Sequence, residues 1–225
     1  MKTCVLLSGR IKTWQKNYES LKQSLINYDY DIFASLNTTD TDPDAIEFSE
    51  LENVKDVICS ETVYPKWYEN VNFYSIDSSK NSLYSQCYHR MLVFTESRNF
   101  SIYDRYIFTR ADLITQDSIP LIAPLDKNIY CPKINMHGLE CKIIGEHKVF
   151  QNNDVPLIND QILVCNYDAA STVAGLFYEL HNMYFYKNIW WHPETMLHEY
   201  LKTRNFEINN FDFSYILDPE RKKSV

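Results

Sequence analysis

Short apolar runs alternate with helically spaced apolar positions through the first half of the chain. Thr3 to Leu7 predicts a buried strand that ends at Ser8-Gly9-Arg10. Trp14, Tyr18, Leu21 and Leu25 follow at helical spacing, and Asp31 to Leu36 returns as a second strand. Strand, glycine turn, helix and strand open a βαβ unit, whose right-handed crossover places the first two strands parallel and adjacent. Asp42-Pro43 predicts a short acidic helix capped by Asp42. Val54 to Cys59 predicts a third strand. From Ser82 to about Arg98, an apolar stripe of Leu83, Cys87, Met91 and Phe94 leaves Gln86, His89 and Arg90 on or beside the other face. The run Tyr103 to Phe108 can fill a buried strand, which ends in Arg110-Ala111-Asp112.

The second half is less regular. Asn128 to Pro132 is followed by a region of short strands and turns to about Val149, and Gln161 to Cys165 predicts another buried strand. Asp168 is the expected cap of a helix running to about Tyr186. His192-Pro193-Glu194 opens a last helix that buries Met196, Leu197, Tyr200 and Leu201. No internal repeat is visible. The alternation of strands and helices gives an α/β class with a mostly parallel central sheet flanked by helices.

Composition narrows the functional classes. A chain of 225 residues without a Pro/Gly/Ser-rich linker predicts one domain, 1–225, with a tail over 216–225. The only apolar run near the amino terminus is Cys4 to Leu7, too short for a signal core or a membrane span, so the expectation is a soluble, cytosolic protein. Six cysteines without paired short spacing predict reduced thiols and no zinc ribbon. A net charge of -8 disfavours a nucleic-acid surface but leaves room for a local basic cleft.

Several short constellations could carry chemistry. A carboxylate leaving the carboxyl end of a strand points into the crevice where open α/β sheets bind ligands, so Asp112 could hold a divalent cation against a diphosphate. A plain strand-to-loop junction is the competing reading. Ser8-Gly9-Arg10 could offer backbone N–H groups and a guanidinium to a nucleotide, or form only a tight turn. It lacks the glycine pattern of a dinucleotide fold and the lysine of a P-loop. Asp40-Thr41-Asp42 resembles a metal-binding pair but is explained by the helix start. His192 is the expected second metal ligand, with Trp190 and Trp191 walling off solvent; simple helix initiation is the alternative. Asn159-Asp160-Gln161 stands before a strand, so Asp160 could be a catalytic carboxylate or orient a sugar hydroxyl, or the triplet could be a turn.

Taken in order, these segments resemble the GT-A fold glycosyltransferases found in bacterial surface-polysaccharide clusters and in large DNA viruses. The resemblance rests on Ser8-Gly9-Arg10, Asp31-Ile32-Phe33, the helix with Gln86, Tyr88 and Arg90, Tyr103-Asp104 leading to Arg110-Ala111-Asp112, Asn159-Asp160-Gln161, and His192-Pro193-Glu194 with Leu197. It covers nearly the whole chain. It implies a single GT-A-like, Rossmann-like domain with a nucleotide-sugar half at about 1–115 and an acceptor and catalytic half at about 116–215.

The implied activity is transfer of a sugar from a nucleotide diphosphate sugar, UDP-linked first, to a glycan acceptor, with Mn2+ or Mg2+ assisting departure of the diphosphate. Leu7, Ser8, Gly9, Arg10, Gln86, Arg90, Arg110 and Asp112 would bind the donor. Asp112 and His192 would hold the metal, and Asp160 and Glu194 would be the catalytic carboxyls. Arg110 stands where many such enzymes have an aspartate, and is expected to replace part of the cation's charge. Tyr64, Trp67, Tyr68 and Tyr74 could stack on a sugar acceptor or simply pack. Two other readings are a noncatalytic nucleotide- or sugar-binding module on the same fold and a nucleotidyltransferase. The single glycine of the first turn argues against the latter.

Overall fold

The computed structural model describes residues 1–10, 14–71, 80–133, 158–189 and 191–217. The expectations for Tyr74, Cys141, Trp190, the segment from 134 to about Val149, and the tail beyond Leu217 lie outside those residues.

The first strand, β1 (Lys2–Gly9), runs through helix α1 (Trp14–Ser24) to β2 (Asp29–Leu36). Next come α2 (Pro43–Ser49), β3 (Val54–Cys59), α3 (Lys80–Ser97) and β4 (Arg105–Arg110). Then follow β5 (Leu113–Thr115), β6 (Asn128–Pro132), β7 (Leu163–Cys165), α4 (Tyr167–Phe185), α5 (Pro193–Lys202), β8 (Glu207–Phe211) and β9 (Tyr215–Leu217). The main sheet has the order β3-β2-β1-β4-β7-β6-β8, and β5 pairs with β9 in a small second sheet. The four strands β3, β2, β1 and β4 are mutually parallel, and β7 runs against both of its neighbours. The expected α/β class and mostly parallel sheet are therefore present. The crossover from β1 to β2 lies on one side of β1 and β4 lies on the other, so the chain reverses direction across the sheet between β1 and β4.

Strand alternation sorts side chains into two apolar layers. Cys4, Leu6, Tyr106, Phe108, Leu163 and Cys165 face the helices α3, α4 and α5. Val5, Leu7, Ile32, Ile107 and Val164 face α1 and α2, where Trp14, Tyr18 and Phe48 meet edge to face. Each fully buried Leu or Phe side chain contributes roughly 1.5–3 kcal/mol of transfer free energy, which makes these two layers the main source of stability. The five described cysteines are free. Burial pushes the Cys87 thiol up to about 12 and Cys131 to about 11, so neither is a nucleophile at neutral pH.

Three local expectations are corrected. Helix α4 is capped by Asn166, whose side chain accepts from the Ala169 N–H at 3.0 Å; Asp168 lies inside the first turn. Helix α3 has no free polar face at His89 and Arg90, which are 1% and 3% exposed. It is covered by the sheet on one side and α4 on the other, and His89 is held by Ser35 Oγ at 2.8 Å and Thr62 Oγ1 at 3.2 Å. Burial lowers this histidine to about 4, so it is a neutral structural link. Ordered strand also reaches Leu217, inside the segment read as tail.

Candidate active site

The carboxyl ends of β1 and β4 are joined by a short network. Gly9 has φ +129, which an L side chain adopts only with strain, and this turns the chain out of β1. The Ala111 N–H donates to the Ser8 carbonyl at 3.0 Å, and the buried Asn17 of α1 donates to the Ala111 carbonyl at 2.9 Å. Leu7 and Ser8 lie beneath this turn, 4% and 3% exposed, and only Arg10 emerges into solvent. Residues Arg110 and Asp112 flank Ala111 on the open side. Their side chains form a two-toothed pair: Arg110 Nε donates to Asp112 Oδ1 at 2.7 Å and Nη2 to Oδ2 at 2.6 Å. The Arg110 side chain keeps 23% of its surface. Burial lowers the Arg110 pKa, but the bond and charge of Asp112, with the charges of Asp160 and Glu194, more than restore it, so the guanidinium stays cationic.

Asp160 comes from the turn before β7 and is 1% exposed. Such a carboxylate needs donors on every side. Gln86 Nε2 of α3 reaches Oδ2 at 2.7 Å and Gln161 Nε2 reaches Oδ1 at 2.5 Å. Arg90 donates to the Asp160 backbone carbonyl and stands 3.7 Å from Oδ2. Gln86 and Arg90, read from sequence as donor-binding, are thus the fixings of Asp160. The next residue back, Asn159, accepts the Gln161 N–H at 3.1 Å and donates to the Tyr215 hydroxyl at 2.7 Å.

Helix α5 delivers the remaining members. Pro193 occupies its first position and Glu194 its first turn, while His192 precedes it without a side-chain capping bond. His192 Nδ1 lies 3.2 Å from Glu194 Oε2. Burial pushes the Glu194 carboxyl up, and the charge of Asp160 adds to this; Arg90 and Arg110 pull the other way, leaving it at about 8. Burial lowers His192, opposed by Asp160. Near neutral pH the pair therefore holds a proton on Glu194 next to a neutral imidazole.

The structure thus brings Arg110, Asp112, Asp160, His192 and Glu194 into one electrostatic neighbourhood, with Arg90 and Gln86 behind Asp160. Arg10 lies at its β1 edge. Tyr215 belongs to the same neighbourhood, since its hydroxyl feels Asp160, Glu194 and Arg110. Sequence reading missed it, although Phe211, Phe213 and Tyr215 alternate as a strand should. Of the expected acceptor platform, Tyr68 is buried at 6% and stacks on Tyr64 at 4.9 Å, while Trp67 packs on Trp191 and His181. A cavity of about 320 Å³ between α1 and the turn after α2, lined by Trp14, Glu19 and Glu52, shares no residue with this cluster.

A divalent cation fits these residues poorly. Both Asp112 oxygens are engaged by Arg110, His192 faces Glu194, and no group of three His, Cys, Asp or Glu among the described residues could hold a metal.

A reversal of strand order between β1 and β4, with charged groups gathered at their carboxyl ends, defines a Rossmann-type α/β domain consistent with GT-A-like architecture. No family model matches the chain and no curated protein matches it. Among solved structures, a glycosyltransferase involved in the glycosylation of the major capsid of PBCV-1 is similar at a TM-score of 0.49 and 9% identity, over 93% of this chain and 82% of that one. No helix among the described residues is long and apolar enough to cross a membrane.

Proposed function

We propose that the chain transfers a sugar from a nucleoside diphosphate sugar, UDP-linked first, to a hydroxyl of a glycan acceptor. The observation that carries this reading is the convergence of a partly open guanidinium, Arg110, with two chemically different carboxyls, Asp160 and Glu194, at the switch point of the sheet. Glycosyl transfer needs those parts. The bond from the anomeric carbon to the diphosphate breaks and its electron pair stays on the diphosphate oxygen, where charge builds up. Arg110 stabilises that charge more in the transition state than in the ground state. The acceptor oxygen bonds to the anomeric carbon and its proton passes to the ionised form of Glu194, which gains population as pH rises through about 8. Asp160, locked by Gln86 and Gln161, orients the hydroxyls of the sugar. This assignment describes an inverting course.

The test is a thermal-shift panel of UDP-, GDP-, dTDP- and CMP-sugars, each with Mn2+ and with chelator, followed by a transfer assay on any that bind. Binding to the folded chain raises its apparent stability by mass action. A shift confined to one nucleotide class, with turnover, supports the transferase. Binding without turnover favours the noncatalytic module, and no shift with any member removes the reading. A shift that appears only with Mn2+ would return the diphosphate charge to a metal and away from Arg110.

A further inference from the structure

Tyr215 was not anticipated as a site residue, and its hydrogen-bond geometry fixes where its proton goes. The Gln161 backbone N–H can only donate, and it bonds to Asn159 at 3.1 Å, so the atom it meets is the amide oxygen. The amide nitrogen of Asn159 therefore faces Tyr215, at 2.7 Å, and can only donate. The phenolic oxygen is the acceptor of that bond, and its own O–H is left to donate elsewhere. Asn159 is 4% exposed, so this direction is enforced by burial.

The ring is held in place independently of its hydroxyl. Strand β9 pairs with β5 in the register Thr115 opposite Tyr215, directly after Asp112 in the chain. Just before it, the Gln116 N–H donates to the Ser214 carbonyl at 2.9 Å and the Ser214 N–H to Asp117 Oδ2 at 2.7 Å. The hydroxyl lies within the field of Asp160, Glu194 and Arg110. Asp160 already has donors on both oxygens from Gln86 and Gln161.

We infer that Tyr215 donates its hydroxyl proton to a hydroxyl oxygen of the donor's sugar, and so recognises the transferred group apart from the nucleotide. The inference rests on the glycosyl-transfer reading above. A sugar hydroxyl can donate to a carboxylate and accept from a phenol at once, which matches Asp160 and Tyr215 as a complementary pair. A bare nucleoside diphosphate offers no such partner at that point.

The experiment compares calorimetric binding of UDP-glucose, UDP-galactose and GDP-mannose with that of UDP and GDP, for the full chain and two variants. Tyr215→Phe keeps the ring and the strand pairing and removes only the O–H. Asn159→Asp keeps the acceptor for the Gln161 N–H and puts a second carboxylate oxygen against the phenol, which turns the Tyr215 proton toward residue 159. Both variants are expected to weaken the nucleotide sugar by about 3- to 10-fold, the span of a neutral hydrogen bond, relative to its parent nucleotide. In the transfer assay Tyr215→Phe should raise KM for the donor and leave KM for the acceptor unchanged. Equal losses for sugar and parent nucleotide, or no loss in Tyr215→Phe, overturn the inference and leave the transferase reading standing. Failure of the unmodified chain to bind any of the five ligands, or any member of the wider nucleotide-sugar panel, overturns that reading and the inference with it.

Discussion

Replacing Glu194 by Gln tests the proton held at the site by thermodynamics alone. The ordinary glutamate value is 4.5, and burial beside Asp160 pushes Glu194 up to about 8. Between those values the folded chain keeps a proton that the unfolded chain has released, so stability is highest below 4.5 and falls as pH rises through about 8. The interval of about 3.5 pH units, at about 1.4 kcal/mol each, sets an upper limit of ~5 kcal/mol. His192 titrates with the opposite sign, because burial lowers it from 6.5, so the clean window runs upward from about pH 6.5. Only about 1.5 pH units of the Glu194 effect remain there, or ~2 kcal/mol, and an exposed quarter of the side chain reduces this to about 1 kcal/mol. The other charges facing Glu194, those of Asp160, Arg90 and Arg110, stay in both proteins. Urea unfolding of the unmodified chain and Glu194→Gln at about pH 6.5, 7.5 and 9 should show the former losing about 1 kcal/mol more across the series. In a transfer assay, the rise in activity through about pH 8 should vanish in the variant. Parallel stability curves for the two proteins would refute the protonated carboxyl and the role built on it.

Arg90→Met should be among the most damaging substitutions in α3. It leaves the buried Asp160 carboxylate and carbonyl without their guanidinium, at a cost of about 3–5 kcal/mol in chemical denaturation, whereas a surface ion pair would cost under about 1 kcal/mol. Gly9→Ala should cost about 1–2 kcal/mol from backbone strain alone, since the added Cβ would lie 3.8 Å from the nearest atom, Ala111 N; a loss within error of zero would show that the turn relaxes freely.

The amino-terminal βαβ unit was legible because its apolar runs are bounded by local signals. Gly9 ends β1, Asp42-Pro43 starts α2, and Val54 to Cys59 matches β3 at both ends. What stayed hidden depends on distant partners. The cap of α4 went to Asn166 over Asp168 because the side chain at 166 is placed to reach the Ala169 N–H. The burial of His89 and Arg90 follows from α3 being covered on two sides, by the sheet and by α4, which periodicity along one helix does not encode. Asp112, Asp160 and Glu194 were legible as candidates from their places at a strand end, before a strand and at a helix start. That Arg110 would take both oxygens of Asp112 was not, since a pairing of residues two apart depends on how β4 ends.

The two carboxyls, one buried and one half-buried, acquire different chemistry from the supply of donors around them. Asp160 is the more enclosed, yet α3 and its own neighbour give it Gln86, Gln161 and Arg90. Glu194 meets His192, whose own proton affinity is lowered by burial, and a backbone N–H, and it feels the charge of Asp160. The hydrogen bonds therefore stabilise one carboxylate where it stands, and its field helps keep the proton on the other. A pair whose environments differ in this way separates an orienting group from a proton-transferring group without any difference in residue type. Helix α3 carries no reacting atom in this scheme, but by fixing Asp160 it holds in place a charge that adds to burial in raising the proton affinity of a residue on α5.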